Sequence, residues 1–212
     1  MYQGGIGEIE EKKSRFIAAV EPVKNEEEAM RFLAAKRKEY WDARHNCHAF
    51  VIGENSELQR CSDDGEPSGT AGRPMLEVLL GEELHDTAVV VTRYFGGTLL
   101  GTGGLVRAYQ RAVKEALKSC RIAEKERGKE LSIRTDYTDL GRLQHFLAEK
   151  GLPVTDTVYE EAVTTKVMVP ETILSSLTAE ITDATGGRAV LQAGGNELYA
   201  VIDGEVIRIA PE

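Results

Sequence analysis

Apolar positions recur along this chain at two periods, and the places where the period changes divide it into elements. Residues 14–20 read as a strand. Over residues 26–40, Ala29, Phe32, Leu33, Lys36 and Tyr40 fall at helical spacing behind Asn25, a natural amino-terminal cap, which predicts a helix. Residues 47–52 and 58–61 read as a strand pair turning at Gly53-Glu-Asn-Ser56, followed by a polar, glycine-bearing segment and a helix at 74–80. Residues 85–94 contain Ala88-Val-Val-Val91, an unbroken apolar run of the kind that central strands buried on both faces carry. A glycine-rich loop then leads to a helix at 104–119.

Further on, the pattern predicts a strand at 130–136, a helix at 139–150, strands at 153–159 and 162–169, a helix at 171–184 and a strand at 188–192. That order is βαββαβ, the ferredoxin-like arrangement, and a hairpin at 198–209, interrupted by Asp203-Gly204, is expected to extend its sheet. Between the two regions lies Ala123-Glu-Lys-Glu-Arg-Gly-Lys129, charged and with little to bury. The expected fold class is therefore two-domain, α/β over residues 1–127 and α+β over 128–212.

Charge separates the same regions. Residues 1–127 hold 19 Lys+Arg against 21 Asp+Glu, a net of −2, and residues 128–212 hold 7 against 14, a net of −7, together the −9 of the chain. No run approaches the ~18 consecutive apolar residues of a membrane helix, and residues 1–13 lack the apolar segment of a signal peptide. Cys47, Cys61 and Cys120 are too few and too odd in number for a disulfide framework. The expectation is a cytoplasmic protein with reduced thiols and no membrane contact.

The most informative stretch runs from the apolar strand through Arg93-Tyr94-Phe95-Gly96-Gly97 and Gly101-Thr102-Gly103-Gly104 into the following helix. Glycines let backbone N–H groups approach a ligand, Thr102 offers a cap, and a helix amino terminus carries about half a positive charge. Arg107, Arg111, Lys114 and Lys118 then form one stripe, with Val106, Tyr109, Val113, Leu117 and Cys120 on the opposing face. From Thr92 to Ile122, six basic residues stand against Glu115 alone. These residues predict an anion-binding face for a small phosphorylated ligand or a nucleic-acid backbone, since both need the same amides and cations. The overall negative charge argues against tight, sequence-independent duplex DNA binding. Neither a Walker A lysine nor the last glycine of a dinucleotide fingerprint is present.

Two other constellations carry less. His45, Cys47, His48 and Cys61 lack the paired spacing of zinc ribbons, and Cys47 and His48 belong on opposite faces of a strand. The long segment with Asp63, Asp64, Glu66, Ser68 and Thr70 supplies carboxylates suited to a cation or to acid/base work, and equally suited to turn capping. Arg73, near a helix start, is expected to join Arg93 in an anion site if their strands are neighbours.

Ser14-Arg-Phe-Ile17, His45-x-Cys-His48-Ala, Ser62-Asp-Asp-Gly-Glu-Pro-x-Gly69-Thr-Ala-Gly-x-Pro74 and Val91-Thr-Arg-Tyr-Phe-Gly-Gly97-x-x-Leu-Gly101-x-Gly-Gly-Leu-x-Arg107-Ala-Tyr109 together resemble the YigZ/IMPACT family. The resemblance implies a first domain shaped like the second domain of a small-subunit ribosomal protein and like GHMP small-molecule kinases. It also implies a second domain similar to the carboxyl-terminal domain of elongation factor G; residues 195–212 lie outside it. Eukaryotic members regulate translation under amino-acid starvation and carry an additional amino-terminal binding domain, which this chain is expected to lack. The family brings no catalytic residue and no cofactor. The resulting expectation is a non-catalytic, stress-related, ribosome-associated protein that binds RNA or a translation factor, with a phosphorylated-ligand enzyme or sensor as the alternative.

Overall fold

The computed structural model describes residues 1–209, so the last three positions of the expected second domain lie outside it. The described residues form two compact units, the first Met1–Ile122 and the second beginning at Ala123. The expected boundary at Gly128 falls five residues too late because Gly128 sits inside a strand. A Cβ there would stand 2.7 Å from Tyr199 Cε1, so the glycine makes room for a buried ring rather than for a linker.

In the first unit a five-stranded sheet has the order β1-β2-β5-β3-β4, with β1 at Gly5–Glu11, β2 at Ser14–Pro22, β3 at His45–Ile52, β4 at Leu58–Ser62 and β5 at Thr87–Tyr94. Every pair is antiparallel. Helix α1 (Glu26–Glu39) packs through Ala29 on one sheet face, with Val23, Phe50 and Ala88. Helices α2 (Gly72–Gly81) and α3 (Thr102–Leu117) cover the other face over Phe16, Ala18, Cys47, Ala49, Val89 and Val91. The central strand β5 is buried from Thr87 to Arg93, as an apolar run flanked by helices on both faces must be.

Strand β1 is absent from the sequence-based expectation. Its glycines and glutamates give little apolar alternation, and only Ile9 is buried. Gly7 is required because the α3 backbone at Ala116 presses against it, leaving no space for a Cβ.

The second unit contains β6 (Glu126–Thr135), α4 (Tyr137–Glu149), β7 (Val154–Tyr159), β8 (Val163–Pro170), a 3-10 turn (Glu171–Ile173), α5 (Leu174–Ala184), β9 (Val190–Ile202) and β10 (Glu205–Ile209). Its sheet has the order β10-β9-β6-β8-β7, again antiparallel, with Leu131, Ile133, Leu143, Leu147, Val167, Leu177 and Ile181 in the core. One expectation changes here. Two separate strands at 188–192 and from 198 are one continuous β9, whose pairing with β6 shifts register between Lys129 and Leu131, opposite Gly194-Gly195. No helix among the described residues is long and apolar enough to cross a membrane.

Candidate nucleic-acid interface

Antiparallel pairing brings the end of β5 together with the starts of β2 and β3: Arg15 stands opposite Tyr94, and His45 opposite Arg93. The turn at residues 12–13 and the loops 63–71 and 95–101 therefore meet at one end of the sheet.

Arg93 projects from β5 on the same side as Val89 and Val91, toward α3. Its side chain is 7% exposed, and Nη1 donates to Glu66 Oε1 at 2.6 Å, on a carboxylate 3% exposed. The Tyr109 hydroxyl donates to the same oxygen at 2.9 Å. A buried charge needs such a partner, and Glu66 enters the interior from a loop whose neighbours Gly65, Pro67, Ser68 and Gly69 are exposed. The expectation that Arg93 contacts an anion at the surface is thus corrected. The guanidinium carbon instead lies 5.4 Å from the Phe16 ring centroid and 5.7 Å from that of Phe95, a cation–π contact with each.

The acidic loop is structural in the same sense. Asp63 accepts the backbone N–H groups of Gly69 at 2.8 Å, Ala71 at 3.0 Å and Gly72 at 2.9 Å. Burial opposes its charge, but these donors prevail and hold its carboxyl below the ordinary carboxylate range. Asp64 receives Arg37 at 2.6 Å and the Asn46 N–H at 2.7 Å, and Thr70 Oγ1 donates to the Pro67 carbonyl at 2.6 Å. Ser68 is exposed. These contacts match the turn-capping reading of the segment.

Cys47 is buried toward α3, its Sγ 2.9 Å from the Asp63 carbonyl oxygen and 3.3 Å from the Tyr109 hydroxyl. Burial pushes its thiol up to about 12, which leaves no thiolate to act as nucleophile. His48 lies on the other face and Cys61 is exposed. Among the described residues, no three His, Cys, Asp or Glu side chains are grouped to hold a metal ion.

The glycine loop and α3 form the outward part. Gly96 packs against the Lys13 backbone and donates its N–H to Ser14 Oγ at 3.1 Å, which pins the loop. Gly97 and Gly101 have φ of +86° and +71°, the left-handed region. Thr102 opens α3 rather than capping it: Gly101 is the cap residue, and no side chain bonds to the first turn. That turn holds no acidic residue, and a Cβ at Gly103 would stand 3.6 Å from Arg107 Nη1. The Arg107 guanidinium thus lies beside the first turn of the helix, four residues on from Gly103, while Gly104 lies next to Leu100.

The predicted cations divide into two groups. Arg73 pairs with Glu77 at 3.2 Å instead of joining Arg93, Arg111 pairs with Glu11 at 3.0 Å, and Lys118 pairs with Glu115 at 2.7 Å. Arg107 and Lys114 have no ionic partner among the described residues, and neither do Lys12, Lys13 and Arg44, which sequence reasoning passed over. Lys12 and Lys13 escaped notice because β1 did: both have positive φ, 46° and 64°, in the tight turn that β1 makes into β2. At the same end of the sheet, Phe95 is 54% exposed, Leu99 83% and Trp41 82%, and Tyr94 donates to Asp42 at 2.8 Å.

Comparison with known proteins places this arrangement. Residues 12–117 match the Impact N-terminal domain and residues 133–188 a domain of unknown function, DUF1949. The chain is 42% identical over 192 residues to IMPACT family member YvyE of Bacillus subtilis, covering 91% of this chain and 88% of that one. It is 37% identical over 184 residues to YigZ of Escherichia coli, covering 86% and 90%. Protein IMPACT of Danio rerio is 36% identical over 98 residues, 44% of this chain and 30% of that protein. A solved structure described as the crystal structure of an hypothetical protein superposes with a TM-score of 0.56 at 35% identity, covering 91% of this chain and 95% of that one. With identity of this level extending across both units, the chain belongs to the IMPACT family.

Proposed function

We propose that this protein is a non-catalytic, translation-associated regulator that docks RNA, at the ribosome or on a translation factor, through the basic end of its first unit. The reading is cytoplasmic, with a ribosomal-protein-like first domain and a ferredoxin-like second domain resembling that of elongation factor G. One observation carries it: the first turn of α3 has no side-chain cap and no acidic residue, and the Arg107 guanidinium lies beside it. A cation at this position is unfavourable by roughly 0.3–1 kcal/mol until an anion arrives.

Lys12, Lys13 and the pair of Arg111 widen the basic area at this end, and Lys114 and Lys118 continue it along α3 toward its far end; exposed ion pairs contribute only about 0–1 kcal/mol and exchange readily for phosphate. Tyr94, Phe95, Gly96, Gly97, Gly101, Thr102, Gly103 and Gly104 form the loop and helix start they surround. The loop carboxylates support a non-catalytic role, because Asp63, Asp64 and Glu66 are all committed to holding the fold. A small phosphorylated ligand would draw on the same amides, but exposed Phe95 and Leu99 favour an extended ligand.

Ultraviolet crosslinking of the purified chain to RNA at low salt tests the reading. Recovery of RNA is expected to fall at least about tenfold when Arg107 and Arg111 both become Glu, and unchanged recovery rejects the proposal.

A further inference from the structure

We infer that the RNA taken up here is single-stranded, with an unpaired base stacked on Phe95; this rests on the RNA-docking reading above. The ring is prepared for that role. Arg93 is clamped by Glu66 and lies beneath Phe95 at 5.7 Å from its centroid, so the ring is fixed from below while 54% of the residue faces water. Its backbone is fixed as well, because the next N–H, that of Gly96, is held by Ser14 Oγ. A half-exposed aromatic residue supported by a buried cation loses little freedom when a base stacks on it.

Two further side chains fit the same ligand. Leu99 extends the apolar area within the loop, and Trp41 adds a second aromatic side chain at this end of the sheet, where its neighbour Asp42 accepts the Tyr94 hydroxyl. Around them stand Lys12, Lys13, Arg44 and Arg107, all without carboxylate partners among the described residues. Exposed rings and cations without carboxylate partners at one end of the sheet suit a strand that offers phosphates and unstacked bases together. A duplex keeps its bases stacked on one another, so it offers the rings nothing and meets only the cations.

The test uses the full chain with a short, unstructured oligoribonucleotide and with the duplex of the same sequence. The single strand is expected to bind more tightly and to quench the emission of Trp41, the chain's one tryptophan. Phe95→Ala is expected to weaken single-strand binding about tenfold, equivalent to about 1.4 kcal/mol, and to leave duplex binding unchanged, while Phe95→Trp retains the affinity. Trp41→Ala removes no buried group and is expected to act in the same direction. Equal affinity for strand and duplex, or ring removal that alters neither or both alike, overturns the stacking inference while RNA docking stands. No binding of either RNA by the unaltered chain removes both.

Discussion

Helices α1 and α3 lie on opposite faces of one sheet, and their ends are finished in opposite ways. Helix α1 begins at Asn25, whose side chain accepts the Glu28 N–H at 2.9 Å; Glu26, Glu27 and Glu28 fill its first turn, and Lys36, Arg37 and Lys38 its last. Apart from Glu39, the last residue, the charges at both ends oppose the helix dipole. Helix α3 has a glycine at its cap, no acid in its first turn and an arginine beside that turn. What secures α3 is burial, with Leu105, Ala108, Tyr109, Ala112, Val113 and Ala116 in the core, whereas α1 buries only Ala29 and Leu33. A helix held by its packed face can leave its end uncompensated, and that end is then available to a ligand.

The largest expected effect comes from loosening what lies beneath α3. Arg93→Ala leaves the Glu66 carboxylate buried without its cation and is expected to lower unfolding stability by about 3–5 kcal/mol in denaturant titration. Removing the finish of α1 is milder: Asn25→Ala is expected to lower stability by about 1 kcal/mol without altering RNA affinity. Giving α3 what α1 already has sharpens the contrast. Thr102→Glu is expected to raise stability by about 0.3–1 kcal/mol while weakening RNA binding, so stability and affinity move in opposite directions.

The smallest effect is a pH dependence. Asp63 has a depressed pKa in the folded state, so its contribution is fully present above the ordinary value of 3.8 and is lost as pH falls below it. The protection of the Gly69, Ala71 and Gly72 amides relative to their intrinsic exchange rates is expected to fall over that acid range, and Asp63→Ala to show lowered protection at neutral pH.

Periodicity exposed most of this fold because it reports burial directly: the Ala88–Val91 run is where the pattern places it, and on α3 Tyr109 and Val113 are buried as expected, although Leu105, Ala108, Ala112 and Ala116 complete that face and Val106, Leu117 and Cys120 are only half-buried. Glycine misled in both directions. Gly128 reads as linker and the pattern around Gly7 predicts no element, but both lie in strands, where a tyrosine ring and a helix backbone respectively approach too closely for a Cβ. The candidate site was legible in its residue types and not in its pairings. Glu66 and Arg93 are 27 positions apart, and Glu11 and Arg111 are 100 apart, so which cations are neutralised depends on tertiary contacts that no local pattern encodes. The pairs of Lys118 with Glu115, three residues away, and of Arg73 with Glu77, four away, were visible from spacing.

The salt dependence of affinity for a single-stranded oligoribonucleotide, compared between the unaltered chain and an Arg107→Glu, Lys114→Glu variant, tests the central claim most directly. The account predicts a log–log slope of about −0.7 per phosphate engaged, made shallower by about 1.4 in the variant together with a clear loss of affinity. Identical slopes and affinities for the two proteins would contradict it.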